Sequence, residues 1–146
     1  MQQSLSELQK NGRLSITELS EHIGLSLSPC HRRLHALEHR GIIKGYHANL
    51  DASRVGINFS ALVFVTMKNG DKNTLLEFEQ EITEIPYIIQ AQRLFGDPDY
   101  LMHVVAKDLE EFQTLYDEQF SALSGVLRLT STIVMKSIVS DRALPI

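Results

Sequence analysis

The chain has one cysteine, Cys30, in 146 residues. That excludes a disulfide framework and a paired-cysteine metal knuckle, and Cys30 on an apolar helical stripe reads as a small buried hydrophobe. No apolar run approaches a membrane span, no basic leader precedes an apolar segment, and no lipidation motif occurs, so the expected setting is the cytoplasm. Also missing are a glycine-rich phosphate loop, a nucleophile elbow and a His-Glu-x-x-His pair. The enzyme classes those motifs mark are excluded, and no cofactor or metal is expected. Nothing suggests disorder, and a chain of this length can bury a real core as one domain or two small ones.

Acid exceeds base overall, giving a net charge of −4, but unevenly. Residues 1–50 carry six Lys or Arg against four Glu, a local charge of +2, and five of the six histidines; residues 51–146 carry −6. The first part is the end suited to a polyanion.

What is present there is LSITELSEHIGLSLSPCHRRLHALEHRGII, Leu14 to Ile43. Ser15 reads as an N-cap, with Ile16, Leu19 and Ile23 recurring at helical spacing behind it, and Gly24 stops the helix. Ser28 and Pro29 restart a second helix, with Cys30, Leu34 and Leu37 as its buried stripe and Gly41 as its end. This is a helix-turn-helix pattern, with the motif at about residues 16–35 and small Ser20 where the helices cross. Away from the buried stripe lie His31, Arg32, His35 and His39, with Ser28 at the helix N-terminus, where N–H groups can meet a phosphate. Such a face suits a DNA major groove; the alternative is an ordinary helical hairpin with a solvated polar side. His31, His35 and His39 at i, i+4 and i+8 also invite a metal, yet no further ligand is arranged to complete a set. Arg33 reads two ways, as a phosphate contact or as the partner of a carboxylate holding the helices together.

Before the motif, Leu5 and Leu8 mark a short helix stopped at Asn11-Gly12. After it, residues 42–50 read as short extended pieces or a small wing, and Asp51–Gly56 as a single helical turn in a hinge. From Asn58 the period changes. Strands are expected at Phe59–Met67, Tyr87–Phe95, Tyr100–Ala106 and Val126–Val139, and helices after caps at Asp71 or Asn73 and at Asp108. In the first of these helices Leu75, Leu76, Phe78 and Ile82 form the apolar side, with Glu77, Glu79, Glu81 and Glu84 mostly opposite. The order βαββαβ is ferredoxin-like, with two helices on one face of an antiparallel sheet. Strands apolar on both sides leave the other face needing cover, so self-association is expected. The fold class is α+β, with a winged helix-turn-helix domain at 1–45, a hinge at 46–57 and a ferredoxin-like domain at 58–146.

With ITELSEHIGLSLSPCHRRLHALEHRGII, then GDPDYL between two strands and TSTIVM in the last, the chain resembles the Lrp/AsnC, or feast/famine, transcriptional regulators along essentially its whole length. The resemblance implies a DNA-binding helix-turn-helix joined to an effector domain, dimers paired through their sheets and often assembled into octamers, and a free amino acid bound where dimers meet. It places Ser28, His31, Arg32 and His35 on the base-reading helix. It places Gly96, Asp97, Asp99 and Tyr100 in the effector loop, and Thr132 and Val134 on the strand lining the same pocket. On spacing alone the GDPDY turn could equally be a hairpin with solvated carboxylates; on the resemblance, Asp97 or Asp99 pairs with the ligand ammonium. Family members usually begin with a fuller first helix, whereas Met1 starts inside it, so a first helix that is truncated or natively short is expected. Sirohaem decarboxylases share the two-domain layout and stand as the enzymatic alternative, against which the basic, histidine-bearing helix face argues.

Overall fold

A computed structural model describes residues 1–146. One compact unit comprises Met1–Asn49 with Ile138–Ile146, the other Leu50–Ser137.

The helical unit contains α1 (Gln2–Lys10), α2 (Ile16–Ile23) and α3 (Leu27–His39). Ser15 caps α2 reciprocally: its Oγ accepts the Glu18 N–H at 3.1 Å, and the Glu18 carboxylate accepts the Ser15 N–H at 3.3 Å. Gly24, at φ 69°, ends it. Ser26, not Ser28, occupies the N-cap position of α3, without a side-chain capping bond. Pro29 fits anywhere in a first turn whose N–H groups lack helical partners, so it does not single out the serine that caps. At the other end Gly41 donates to Glu38 O at 3.1 Å and Ile42 to Leu37 O at 3.0 Å, the paired bonds of a Schellman stop.

Leu19, Cys30 and Leu37 are buried at the centre of this unit, with Ser20 beside them and Leu34 only half-buried. Gly12 is not the stop of α1. The chain leaves the helix in extended form at Asn11, whose Oδ1 accepts the Arg13 N–H at 2.9 Å. The extended pieces expected after Gly41 form no strand within the chain. The C-terminal segment, expected with the sheet, belongs to the helical unit: the Gln9 carboxamide donates to Leu144 O at 3.1 Å and accepts its N–H at 2.7 Å.

In the sheet unit a 3-10 turn (Ser53–Val55), closed by Gly56 at φ 86°, precedes β1 (Phe59–Met67). Then come α4 (Lys72–Thr83), β2 (Ile88–Arg93), β3 (Tyr100–Ala106), α5 (Leu109–Glu118) and β4 (Val126–Ile133). Asp71 and Asp108 cap the helices by accepting from Thr74 N at 3.2 Å and Glu111 N at 2.8 Å. The strand order is β2-β3-β1-β4, antiparallel throughout.

Two strands are shorter than their composition suggests. β4 pairs only with β1, and Ile133 already lies opposite Ala61, near the start of its partner. After a last bond from Val134 N–H to Ser60 O at 2.8 Å the ladder runs out, leaving Met135 and Ser137 exposed. β2 ends at Arg93; one further bond in the same register, Leu94 N–H to Asp99 O at 2.8 Å, closes the neck of the loop that follows.

Ala61, Val63 and Val65 of β1 and Tyr100, Met102, Val104 and Ala106 of β3 are fully buried on the helix-covered face. They pack with Phe78, Phe112 and Phe120; the Phe78–Tyr100 and Phe59–Phe112 ring centroids are 4.7 and 4.8 Å apart.

Two glycines give a graded test. Gly56 and Gly125 both have positive φ, but a Cβ at Gly56 would meet open space, whereas at Gly125 it would collide with Thr74 Cγ2 and lie 3.2 Å from Met67 Cε. Gly56→Ala should cost about 1–2 kcal/mol from backbone strain alone. Gly125→Ala should cost at least about 1 kcal/mol more, from overpacking. Urea unfolding of the two variants side by side checks the difference.

Candidate functional site

The first site is the free face of α3. Ser28, His31, Arg32, Arg33 and His35 are all exposed, and Ser28, His31 and Arg32 line a shallow groove with Ile16 and Leu27. The His35 and His39 rings stack with centroids 6.1 Å apart. The ion pairs of the chain are His22–Glu7, Arg54–Asp51 and Arg93–Glu79, so no cation of α3 is ion-paired, and the helix's one acid, Glu38, pairs with none of them. Arg33 therefore does not brace the helices through an acid, and its guanidinium is free for a phosphate. No three His, Cys, Asp or Glu side chains gather as a metal-ligand set.

The second site is the loop between β2 and β3. Backbone bonds shape it: Leu94 N–H to Asp99 O at 2.8 Å and Asp99 N–H to Val65 O at 2.9 Å. Gly96 takes φ 149°, and the Asp97–Pro98 peptide is cis. Asp99 is half-buried and its Oδ2 accepts the Met67 N–H at 2.7 Å, which ties the loop to the end of β1. Asp97 is exposed and bonds to nothing, so of the two acids it is the one available to a ligand cation.

Tyr100 closes the loop with only 1% exposure. Its hydroxyl donates to the Glu79 carboxylate, which also accepts from Arg93 Nε at 2.7 Å and from Arg93 Nη2. These three residues wall a cleft of about 350 Å³ with Ile82, Thr83 and Ile88. The Tyr100 bond, with Arg93 adding to it, holds the Glu79 carboxyl below its usual range. Burial first, and the neighbouring carboxylate second, push the Tyr100 phenol up to about 12. Helical periodicity put Glu79 on the solvent side; it is half-buried instead, and its place beside Phe78 was the one available signal.

Gly96, Asp97, Asp99 and Tyr100 are contiguous, but Thr132 does not join them. Tyr100 faces Val65 across the ladder, on the helix-covered side, whereas Thr132 faces Leu62, on the other side of the sheet. Val134 lies just past β4 and is half-buried. On the uncovered face the middle strands present half-buried Leu62, Phe64, Leu101 and Val105, and Ser60 Oγ meets His103 Nε2 at 2.6 Å. No helix is long and apolar enough to cross a membrane.

Comparison with known proteins matches both units. Residues 60–144 fit the family model of the Lrp/AsnC ligand binding domain, and residues 5–44 fit a winged helix-turn-helix DNA-binding model. The chain is 34% identical over 142 residues to the Bkd operon transcriptional regulator of Pseudomonas aeruginosa, covering 97% of this chain and 93% of that protein. It superposes on a transcriptional regulator from Neisseria meningitidis, solved as a complex with L-methionine, with a TM-score of 0.92 and 33% identity, covering 98% and 92% of the two chains. A feast or famine regulatory protein from M. tuberculosis, also complexed with L-methionine, gives 0.87 and 26%, covering 98% and 95%. These relatives point to a DNA-binding regulator and not to an enzyme, which sets aside the decarboxylase alternative.

The Glu79–Tyr100 bond makes stability depend on pH in two limbs. A depressed carboxyl stabilises fully above its unfolded value near 4.5, and the contribution fades as pH falls through the lower folded value. A raised phenol stabilises below its unfolded value of 10.0, and the contribution is lost as pH rises through about 12. Tyr100→Phe should abolish the alkaline limb and weaken the acid one, as urea midpoints across a pH series would record.

Proposed function

The chain belongs to the Lrp/AsnC family of DNA-binding regulators, and from that premise we propose how its residues divide the work. It is a sequence-specific transcriptional regulator, and its second unit responds to a small molecule of the amino-acid type. α3 enters the major groove, with His31, Arg32 and His35 toward the base edges and Ser28 and Arg33 on the phosphate backbone. The observation that carries this is the free face of α3: two guanidinium groups and two imidazoles, unpaired with any acid, in the part of the chain whose first fifty residues carry +2. The protein acts in the cytoplasm.

The effector is a free α-amino acid held by the loop that contains Gly96, Asp97, Asp99 and Tyr100. Asp97 pairs with its ammonium, while Asp99 keeps the loop in place through Met67. L-Methionine, present in the neisserial and mycobacterial complexes, is the first candidate. Because Thr132 lies on the other side of the sheet from Tyr100, Thr132 and Val134 reach the same ligand from a second copy. The copies pair through their uncovered sheet faces into dimers, and the dimers associate further, up to an octamer of four. Support for this comes from the half-buried Leu62, Phe64, Leu101 and Val105, an apolar strip that a second copy would cover.

Arg32→Ala should weaken binding to a promoter fragment by about tenfold or more and relax its sequence preference, with the fold intact by circular dichroism. Unchanged affinity would remove Arg32 from the interface. In a thermal-shift screen of the twenty amino acids at least one should raise the melting temperature, a ligand at one hundred times its Kd adding about 2.7 kcal/mol. Asp97→Ala should abolish that shift while leaving DNA binding in place.

A further inference from the structure

The loop between β2 and β3 needs a fixed backbone if it is to present Gly96 and Asp97 to a ligand, and its own bonds hold only part of it. Leu94 N–H to Asp99 O closes its neck, while Asp99 secures its far end to Val65 and Met67 of β1. Nothing in those bonds fixes the two strand ends from which the loop springs, Arg93 of β2 and Tyr100 of β3. These two residues lie opposite each other in the ladder. Both turn toward the helix-covered side, and both end on one oxygen, Glu79 Oε2 of α4. A single carboxylate on a helix thus receives a guanidinium from one flank of the loop and a phenol from the other.

Charge makes the junction selective. Arg93 supplies the only cation there, and the Tyr100 hydroxyl, on a side chain only 1% exposed, has Glu79 as its acceptor. Removing the carboxylate would leave a buried hydroxyl unsatisfied and an arginine free to swing into the cleft. The isosteric amide keeps an acceptor oxygen for one partner while losing the charge-assisted bonds to the other.

We propose that Glu79 is a positioning residue of the effector loop, its carboxylate clamping Arg93 and Tyr100 and thereby setting the loop's geometry for a ligand that it does not itself touch. The inference rests on the reading of residues 94–100 as the effector loop, and its test has one arm that needs no ligand.

In the full-length protein, amide hydrogen exchange should be compared between the parent, Glu79→Gln and the milder Tyr100→Phe. Both substitutions should speed exchange at the Leu94 and Asp99 amides, by about tenfold for Glu79→Gln and by less for Tyr100→Phe, with Val63 and Met102 unchanged as markers of an intact sheet. In the second arm, titration calorimetry with L-methionine should show a Kd at least about tenfold weaker for Glu79→Gln, with duplex DNA affinity in the absence of methionine unaltered. Unchanged loop exchange in Glu79→Gln overturns the clamp. Faster exchange with an unchanged methionine Kd overturns the positioning role and leaves Glu79 as local bracing. If the parent does not bind methionine, it is the effector reading for that ligand that fails, and the exchange arm still decides whether Glu79 holds the loop.

Discussion

β1 has no side that water suits, and the sheet unit is built around that constraint. Its residues alternate between fully buried and half-buried along the whole strand, and β3 repeats the alternation beside it. Ala61, Val63 and Val65 find their cover in α4 and α5, whose Phe78, Phe112 and Leu115 complete the core. Burying a Val, Leu or Phe side chain of that kind stabilises by about 1.5–3 kcal/mol, and this face is where the unit gathers most of that gain against the entropy lost on folding. The opposite face is arranged differently. Its apolar residues sit in the two middle strands, while the outer strands β2 and β4 are almost wholly exposed and carry Gln90, Gln92, Thr130 and Thr132. An apolar centre with a polar rim is what the proposed pairing of copies through this face requires, by stacking of sheets rather than by extension at an edge.

Much of this was legible from residue order alone. Ser15, Asp71 and Asp108 cap the helices they were expected to cap, because an oxygen three residues ahead of an unpaired N–H is a local feature that needs no tertiary context. β3 runs over the expected residues for a similar reason, its ends being marked by the Pro98 turn and by Asp108. Where the reading failed, the deciding partner lay far along the chain. β4 ends at Ile133 with only Phe59 and Ser60 of β1 left beyond its partner Ala61, and no property of Val134–Val139 announces that. The last segment, Ile138–Ile146, belongs with α1 through Gln9, a residue more than a hundred positions away.

The acids of the loop show the same limit at finer grain. Asp97 and Asp99 are indistinguishable by spacing, yet one faces solvent and the other is consumed by a backbone amide of β1. By periodicity Glu79 is a solvated helix residue, since α4 carries acids at several positions around its polar side. Only the ladder register, which sets Arg93 opposite Tyr100 beneath that helix, turns one of those acids into a junction. Composition served better for the nucleic-acid end. A cluster of three Arg and three His around a single acid, Glu38, is visible in residues 31–40, and the folded helix leaves its cations without ion pairs.

The division of the proposed effector site between two faces of the sheet has a thermodynamic consequence. A pocket complete within one chain could bind its amino acid without altering how copies associate. Here Tyr100 and Thr132 face opposite sides of the sheet within one copy, so on the proposed reading the ligand binds the assembled form more tightly than the free one. Linkage then requires the converse: whatever factor assembly adds to ligand affinity, the ligand adds to assembly. A coupling of about 1–3 kcal/mol, corresponding to about five- to 150-fold, would be enough for a change in amino-acid concentration to redistribute oligomers. The DNA-binding helices would then be presented singly or in arrays according to supply, with no need for the ligand to touch α3.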